Sequence, residues 1–269
     1  MHQIGIFAGD LRQRYITAHL QKSGYQAEYL YNFEVSTVYV IPVPFTRDGK
    51  TINAMFKNSL SIDDFSFSLK DGDIIFGGNI PESFYKMVSE KKVAVYDFMK
   101  DDDIVWQNAY LTAEGLLAKI IEETPFSLKD KNVLITGFGK CGSLTAKLLS
   151  YLCKNVFVYD HTPIHLYQAK ANGFIPLEYD HLSKYIDNFD IIINTVPNKI
   201  FTPKHYAQMN KKCVLFEIAS YPFGLDEDII HKHNLHFITC PGIPGKISPE
   251  TAGELISKKI IEHLERTDK

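Results

Sequence analysis

Arginine is scarce in this chain. It stands only at positions 12, 14, 47 and 266, so none lies between 48 and 265. That gap excludes a guanidinium fork for a carboxylate or a ribose 2′-phosphate from residues 48–265, a role lysine fills poorly. Cysteine is also sparse. The four cysteines, 141, 153, 213 and 240, form no C-x-x-C pair, which argues against a disulfide framework and a zinc site. No apolar run approaches the ~18–20 residues of a membrane helix. The first residues lack the charged-then-apolar plan of a signal peptide. A cytoplasmic protein with no membrane partner is expected. Net charge is −3 over 269 residues, too balanced for an electrostatic nucleic-acid binder. No G-x-S-x-G is present, so a serine hydrolase has no support. The cluster His231, His233 and His236 lacks metal-ligand spacing and shows no carboxylate partner, so no metal is expected.

What is present is an alternation of short apolar runs and helical patterns, with 45% apolar residues to build cores. The length suits two domains. "IGIFA" (4–8), "VYVIPV" (38–43), "DIIFGG" (73–78) and "KVAVYDF" (92–98) read as strands of a first α/β unit. "TAEGLLAKIIEETPF" (112–126) reads as a helix that Thr112 caps and Pro125 limits. The acidic run "KDDD" (100–103) reads as a charged loop or a helix start. A second series follows, with strands "NVLITGFG" (132–139), "NVFVYD" (155–160), "DIIINTVP" (190–197), "KCVLFEIAS" (212–220) and "LHFITCPG" (235–242). This order argues a doubly wound parallel sheet, and hence an α/β fold.

Within the second series, Gly137, Gly139 and Gly142 form G-x-G-x-x-G. The motif is weak alone, but here it follows a strand, opens a helix and precedes another strand. The first glycine allows the turn, the second admits a pyrophosphate, and the third lets helix and strand pack. The turn Gly137-Phe138-Gly139-Lys140-Cys141-Gly142 is therefore the expected dinucleotide cradle. Asp160 ends the next strand, 18 residues after Gly142. An acid there accepts hydrogen bonds from a ribose diol and repels a 2′-phosphate. His161 and Lys170 follow closely and no arginine does, so NAD is expected over NADP. Asp160 can also cap the helix that follows. Ligands gather beyond the carboxyl ends of parallel strands. Three more loops leave such ends: Thr195-Val196-Pro197, Ala219-Ser220 and Pro241-Gly242.

The last loop opens an unusual stretch, "PGIPGKISPETAG" (241–253), whose two Pro-Gly pairs frame a short apolar step. Together with "AGDLRQ" (8–13), "IPVP" (41–44), "NAYLTAEG" (108–115), "ITGFGKCG" (135–142), "INTVP" (193–197) and "EIAS" (217–220), it resembles the family of dipicolinate synthase A subunits over nearly the whole chain. The resemblance implies a flavodoxin-like N-terminal α/β domain, residues 1–110, completed by 250–269. It implies a Rossmann domain, residues 111–249, including the crossing helix 111–125. The implied activity is NAD(P)-dependent oxidation of a dihydrodipicolinate-type precursor to pyridine-2,6-dicarboxylate in sporulation. The implied partners are a small dicarboxylate, a flavoprotein-like B subunit and further copies of the chain in a homo-oligomer.

A dianionic substrate calls for cations or aimed N–H groups. Asp10, Arg12, Gln13, Pro44, Thr112, Lys246 and Thr251 are the expected substrate contacts, with Lys246 opposing Arg12. Glu114 and Asp10 are candidate proton acceptors. Two departures from the family are visible. Pro222-Phe223-Gly224 stands where Pro-Gly-Gly is usual, and Tyr221 stands where other members carry a cation. Two alternatives stay open: another oxidoreductase on an alanine or 2-hydroxyacid dehydrogenase-like scaffold, and a nucleotide-binding scaffold protein inactive without a flavoprotein partner.

Overall fold

The structure, a computed structural model, describes residues 2–267. The chain divides into two compact units, one of residues 1–108 and 244–269, the other of residues 109–243. The sequence places these boundaries at 110/111 and 249/250.

In the first unit, β1 (Gln3–Phe7), α1 (Leu11–Lys22), β2 (Gln26–Leu30), β3 (Val38–Val40), α2 (Ile62–Ser68), β4 (Ile74–Gly77), α3 (Glu82–Met87) and β5 (Ala94–Asp97) follow in order. The strands form one sheet, all parallel, in the order β2-β1-β3-β4-β5. That is the flavodoxin-like order. Side chains alternate across it. Ile4, Ile6, Val38 and Val40 enter one core cluster; Phe7, Tyr39 and Ile41 enter the other, which is rich in aromatic rings. A strand's period of two turns each apolar run into two packed faces.

Helix α4 (Asp102–Glu123) leads out of this unit. The sequence pattern begins it at Thr112, with Thr112 as the cap. The structure corrects this: the helix starts ten residues earlier, and Thr112 lies inside it. The acidic run supplies the true start. Asp101 accepts hydrogen bonds from the N–H groups of Asp103 and Ile104, and Asp102 and Asp103 fill the first turn. The helix buries Ile104 in the first unit's core and Leu116 and Ile120 in the second's. No single stripe therefore runs along it for a periodicity argument to detect.

The second unit runs β6 (Asn132–Thr136), α5 (Lys140–Leu149), β7 (Asn155–Tyr159), α6 (Pro163–Ala171), β8 (Ile175–Leu177), α7 (Tyr179–Tyr185), β9 (Ile191–Asn194), α8 (Pro203–Gln208), β10 (Val214–Glu217), α9 (Glu227–Lys232) and β11 (His236–Thr239). All its strands are parallel, in the order β11-β10-β9-β6-β7-β8. This is the Rossmann order, with its switch point between β6 and β9. Val133, Ile135, Ile191 and Ile193 pack on one face; Leu134, Ile192 and Leu215 pack on the other.

Two helices end the chain, α10 (Ile243–Ile247) and α11 (Pro249–Thr267). From sequence, "PGIPGKISPETAG" is expected to be a rigid loop before the last helix. In the structure most of it is helical. Pro244 and Pro249 sit in first turns, where a missing N–H costs nothing. Gly253 brings α11 close to α1: a Cβ there would stand 2.8 Å from Tyr15 Cβ and 2.9 Å from the Arg12 carbonyl oxygen. Ile256, Ile260 and Leu264 then join Ile16 and Leu20 in the first unit's core.

Ile260→Ala removes a fully buried side chain from that core. It should cost about 2–5 kcal/mol. Hydrogen exchange should show faster exchange in β1, β3 and α1, with β6 and β9 unchanged. Equal loss in both units would mean that α11 does not belong to the first alone.

Candidate functional site

The glycine turn between β6 and α5 has the three properties that a dinucleotide diphosphate requires. Gly137 has φ +91°, and a Cβ on it would collide with Thr195 Oγ1 and come within 2.7 Å of Val196 Cγ2. A Cβ on Gly142 would collide with the Gly137 carbonyl, so only glycine lets α5 approach β6. Gly139 differs. A Cβ there would meet nothing within 4 Å, and the residue is exposed. The open space lies at the N-terminus of α5, where Gly139 is the N-cap and no side chain caps the helix. The orphan N–H groups and the helix dipole favour an anion there.

The turn is pinned from β7. Gly137 N–H donates to the Tyr159 carbonyl at 2.8 Å, and Phe138 N–H donates to Asp160 Oδ2 at 2.7 Å. Asp160 is buried and also accepts from Thr162 N–H at 2.8 Å, with His165 Nδ1 3.0 Å from Oδ2. Burial alone would raise its carboxyl. The Thr162 and Phe138 N–H groups and His165 outweigh burial and hold it below the usual carboxylate range. Asp160 thus anchors the glycine turn and, through Thr162 N–H and His165, the approach to α6; the sequence expects it to cap that helix, but Thr162 is the N-cap and no side chain caps it. Its neighbours His161 and Lys170, with His181 and Tyr167, line a cavity of about 520 Å³ that reaches Asp160. Burial pushes the Cys141 thiol up, away from thiolate chemistry.

The loops beyond β9 and β10 are joined by a buried polar network that sequence reasoning missed. Thr136 Oγ1 donates to Asn194 Oδ1 at 2.6 Å, and Asn194 Nδ2 reaches Glu217 Oε1 at 2.8 Å. Glu217 is 1% exposed. It also accepts from the N–H groups of Ala219, Gly224 and Leu225 at 2.8–3.0 Å. Asn194 clasps Val196 through both its backbone N–H and carbonyl. The signal was a polar residue closing each apolar run: Thr136, Asn194 and Glu217 are the last residues of β6, β9 and β10. Thr195 adds a bond from Oγ1 to the Thr136 carbonyl at 2.8 Å. Pro197 and Ser220 are exposed on these loops; Pro241 and Gly242, also exposed, follow β11, with Gly242 at φ +65°.

In the first unit the structure brings Asp10, Arg12, Val43 and Gly245 together, while Pro44 accepts from Asn53 Nδ2 through its carbonyl. Arg12 Nε donates to both Asp10 oxygens at 3.0 and 3.1 Å, and Nη2 donates to Asp10 Oδ2 at 2.6 Å and to the Val43 carbonyl at 3.3 Å. Its Nη1 makes no hydrogen bond among the described residues. A Cβ on Gly245 would collide with Asp10 Oδ2 and come within 2.9 Å of Arg12 Nε, so α10 lies directly against the pair. Lys246 is exposed, in the same unit as Arg12 and one residue from Gly245. Gln13 is buried and Thr251 exposed; Glu114, exposed, and Thr112, half-buried, lie on the stretch of α4 that belongs to the second unit. His231 does have an acidic neighbour, Glu227, 3.4 Å away on the surface of α9. Among the described residues no group of three or more His, Cys, Asp or Glu is placed to hold a metal ion, and no helix is long and apolar enough to cross a membrane.

The profile of one protein family, described as S-adenosyl-L-homocysteine hydrolase, NAD binding domain, matches residues 108–245. The chain belongs to that family. The match spans the second unit and contains the glycine turn, Asp160 and the loops after β9 and β10. Beyond it, the chain is 26% identical to the A subunit of dipicolinate synthase from Bacillus subtilis over 227 residues, 84% of this chain and 76% of that protein. The crystal structure of the dipicolinate synthase A subunit from Bacillus halodurans superposes with a TM-score of 0.84, at 22% identity, over 97% of each chain. That of the Bacillus subtilis protein gives 0.82, at 24% identity, over 98% of this chain and 95% of that one. The fold is therefore shared across both units, and the second is an NAD-binding domain of Rossmann type. The resemblance seen in the sequence holds.

The glycines make separable predictions. Gly139→Ala should leave stability unchanged and weaken NAD binding at least tenfold, because its methyl enters the open cradle. Gly142→Ala should cost about 1–3 kcal/mol of stability through overpacking. Denaturant unfolding and calorimetric titration read both. Normal NAD binding by Gly139→Ala would place the dinucleotide elsewhere.

Asp160 predicts a pH dependence. Its folded value is lowered, so its contribution to stability is present above the unfolded value of about 3.9 and is lost as pH falls through the folded value. The stability gap between wild type and Asp160→Asn should be constant just above that range and shrink below about pH 4. Urea unfolding at stepped pH checks it; a gap independent of pH would show that the charge does not hold the turn.

Proposed function

We propose that this chain is the A subunit of a dipicolinate synthase. It would oxidise a dihydrodipicolinate-type dicarboxylate to pyridine-2,6-dicarboxylate with NAD, in sporulating cells and beside a flavoprotein-like B subunit. The observation that carries the reading is the open space at Gly139 over the uncapped end of α5, between two glycines that admit no side chain. Bound NAD supplies a hydride acceptor. The ring loses one hydride and one proton, and aromaticity makes the loss favourable.

The chain's own residues bind and orient. N–H groups at the start of α5 hold the diphosphate. Asp160 faces the adenosine ribose, and its charge disfavours a 2′-phosphate; His161 and Lys170 beside it offer no guanidinium fork. Thr195, Val196, Ala219, Ser220, Pro241 and Gly242 surround the nicotinamide side. Arg12 anchors a substrate carboxylate through the Nη1 edge that Asp10 leaves unused, with Lys246, Gln13, Pro44 and Thr251 of the same unit as further contacts. Of the two candidate proton acceptors, Asp10 is committed to Arg12, which leaves Glu114 as the candidate.

The test is an assay of the purified chain, alone and with the B subunit, for reduction of NAD and of NADP by freshly formed dihydrodipicolinate. A panel of amino, keto and 2-hydroxy acids serves as the comparison. NAD should support the higher kcat/KM, and the dihydrodipicolinate should be the only efficient reductant. Arg12→Lys should weaken dicarboxylate binding by about 1–3 kcal/mol, through loss of the fork, with NAD affinity unchanged. Turnover of a panel acid instead would move the chain to another oxidoreductase class. Activity confined to the mixture with the B subunit would make this chain dependent on its partner.

A further inference from the structure

The loop after β10 presents aromatic rings where glycine and polar residues would be cheaper. Phe223 has φ +60°, a left-handed conformation that is an outlier for a bulky side chain. Tyr221 is 82% exposed and Phe223 36%. The two rings meet edge to face, 5.9 Å between centroids and 83° between planes. A mobile surface loop would have no need of this.

The loop is held at both ends. Glu217 accepts Ala219 N–H on one side of it and Gly224 and Leu225 N–H on the other. Phe223 N–H closes the turn on the Ser220 carbonyl at 3.0 Å. Gly224 is wedged: a Cβ there would collide with the Val196 carbonyl and stand 2.5 Å from Asn194 Nδ2. The aromatic pair is thus fixed to the loop after β9, whose Thr195 and Val196 in turn cover Gly137. All of these lie at the carboxyl edge of β6, β9 and β10. A dinucleotide with its diphosphate at the glycine turn and its adenosine towards β7 points its other end to this side.

Resting on the proposed function, we infer that Tyr221 and Phe223 form a stacking platform for the planar pyridine ring of the product and for the substrate ring as it flattens towards it, and so help to set specificity. Rings of this kind prefer offset-stacked or edge-to-face contact with an aromatic face. Tyr221 offers an exposed face, and Phe223, braced by the strained backbone, fixes its tilt. A pyridine dicarboxylate matches such a face; a saturated ring of the same charge, puckered and without a π-system, does not. The pair therefore distinguishes planar from puckered dicarboxylates, a selection that carboxylate anchors alone cannot make.

The experiment compares Kd by calorimetry, with NAD present, for pyridine-2,6-dicarboxylate and piperidine-2,6-dicarboxylate. The proteins are wild type, Tyr221→Ala and Phe223→Gly. Tyr221 is exposed, so its truncation should not disturb folding, and glycine at 223 relieves the backbone, so that variant should melt no lower than wild type. Wild type should bind the pyridine ring more tightly. Each variant should weaken the pyridine ligand about three- to tenfold and leave the piperidine ligand and NAD unchanged. Wild-type binding of the pyridine ligand with no loss in either variant would overturn the platform and leave the proposed function standing. Failure of wild type to bind either dicarboxylate would overturn both. Equal losses for both ligands would show a general loop effect and also overturn the platform.

Discussion

One buried carboxylate governs the carboxyl edge of the second sheet. Glu217 is sealed from water with no arginine or lysine among its partners in the described residues, a placement that costs several kcal/mol unless every lone pair is used. Here N–H groups use them. Asn194 and the backbone of Ala219, Gly224 and Leu225 converge on its two oxygens. Because the requirement is strict, the loop has little freedom: opening it would strand an unsatisfied carboxyl group in the core. The positions of Val196, Gly224 and the two exposed rings all follow from satisfying that group.

Asp160 has a parallel role at the end of β7, next to the glycine turn. It too draws backbone N–H groups onto itself, from Phe138 and Thr162. The two acids divide the edge between them, one bracing the glycine turn and the other the loops on the far side of the switch point. The edge is prepared for its ligand by acceptors that face inward.

Much of this was legible in the sequence, for physical reasons. Parallel strands buried on both faces are near-continuous apolar runs, so "DIIINTVP" and "KCVLFEIAS" announced β9 and β10. The glycine spacing announced the turn because steric exclusion at 137 and 142 permits no other residue. What escaped was governed by distant partners. β2 reads "QAEYL" and β8 "IPL", edge strands too short or too polar to stand out. The length of α4 was hidden because its buried residues serve two cores. The stretch from Ile243 to Gly253 looks like a loop because proline usually breaks a helix, yet Pro244 and Pro249 each lie in a helix's first turn. The Thr136–Asn194–Glu217 network was invisible as a network, since a hydrogen bond between neighbouring strands leaves no spacing rule along the chain. The pairing of Arg12 with Asp10 was within reach, as the two stand two residues apart, but Gly245 against them was not.

The return of α11 to the first unit shapes how the chain comes into being. Residues 109–243 are contiguous, so the second unit can fold once it has left the ribosome. The first unit cannot finish then. Its core cluster around Ile4, Ile16 and Val38 lacks Ile256, Ile260 and Leu264 until the last segment is made. During synthesis the opening ~100 residues therefore wait with an uncovered apolar face while a complete domain assembles behind them, an interval in which aggregation competes with closure. The exposure ends only when α11 docks on α1, with Gly253 admitting the close approach.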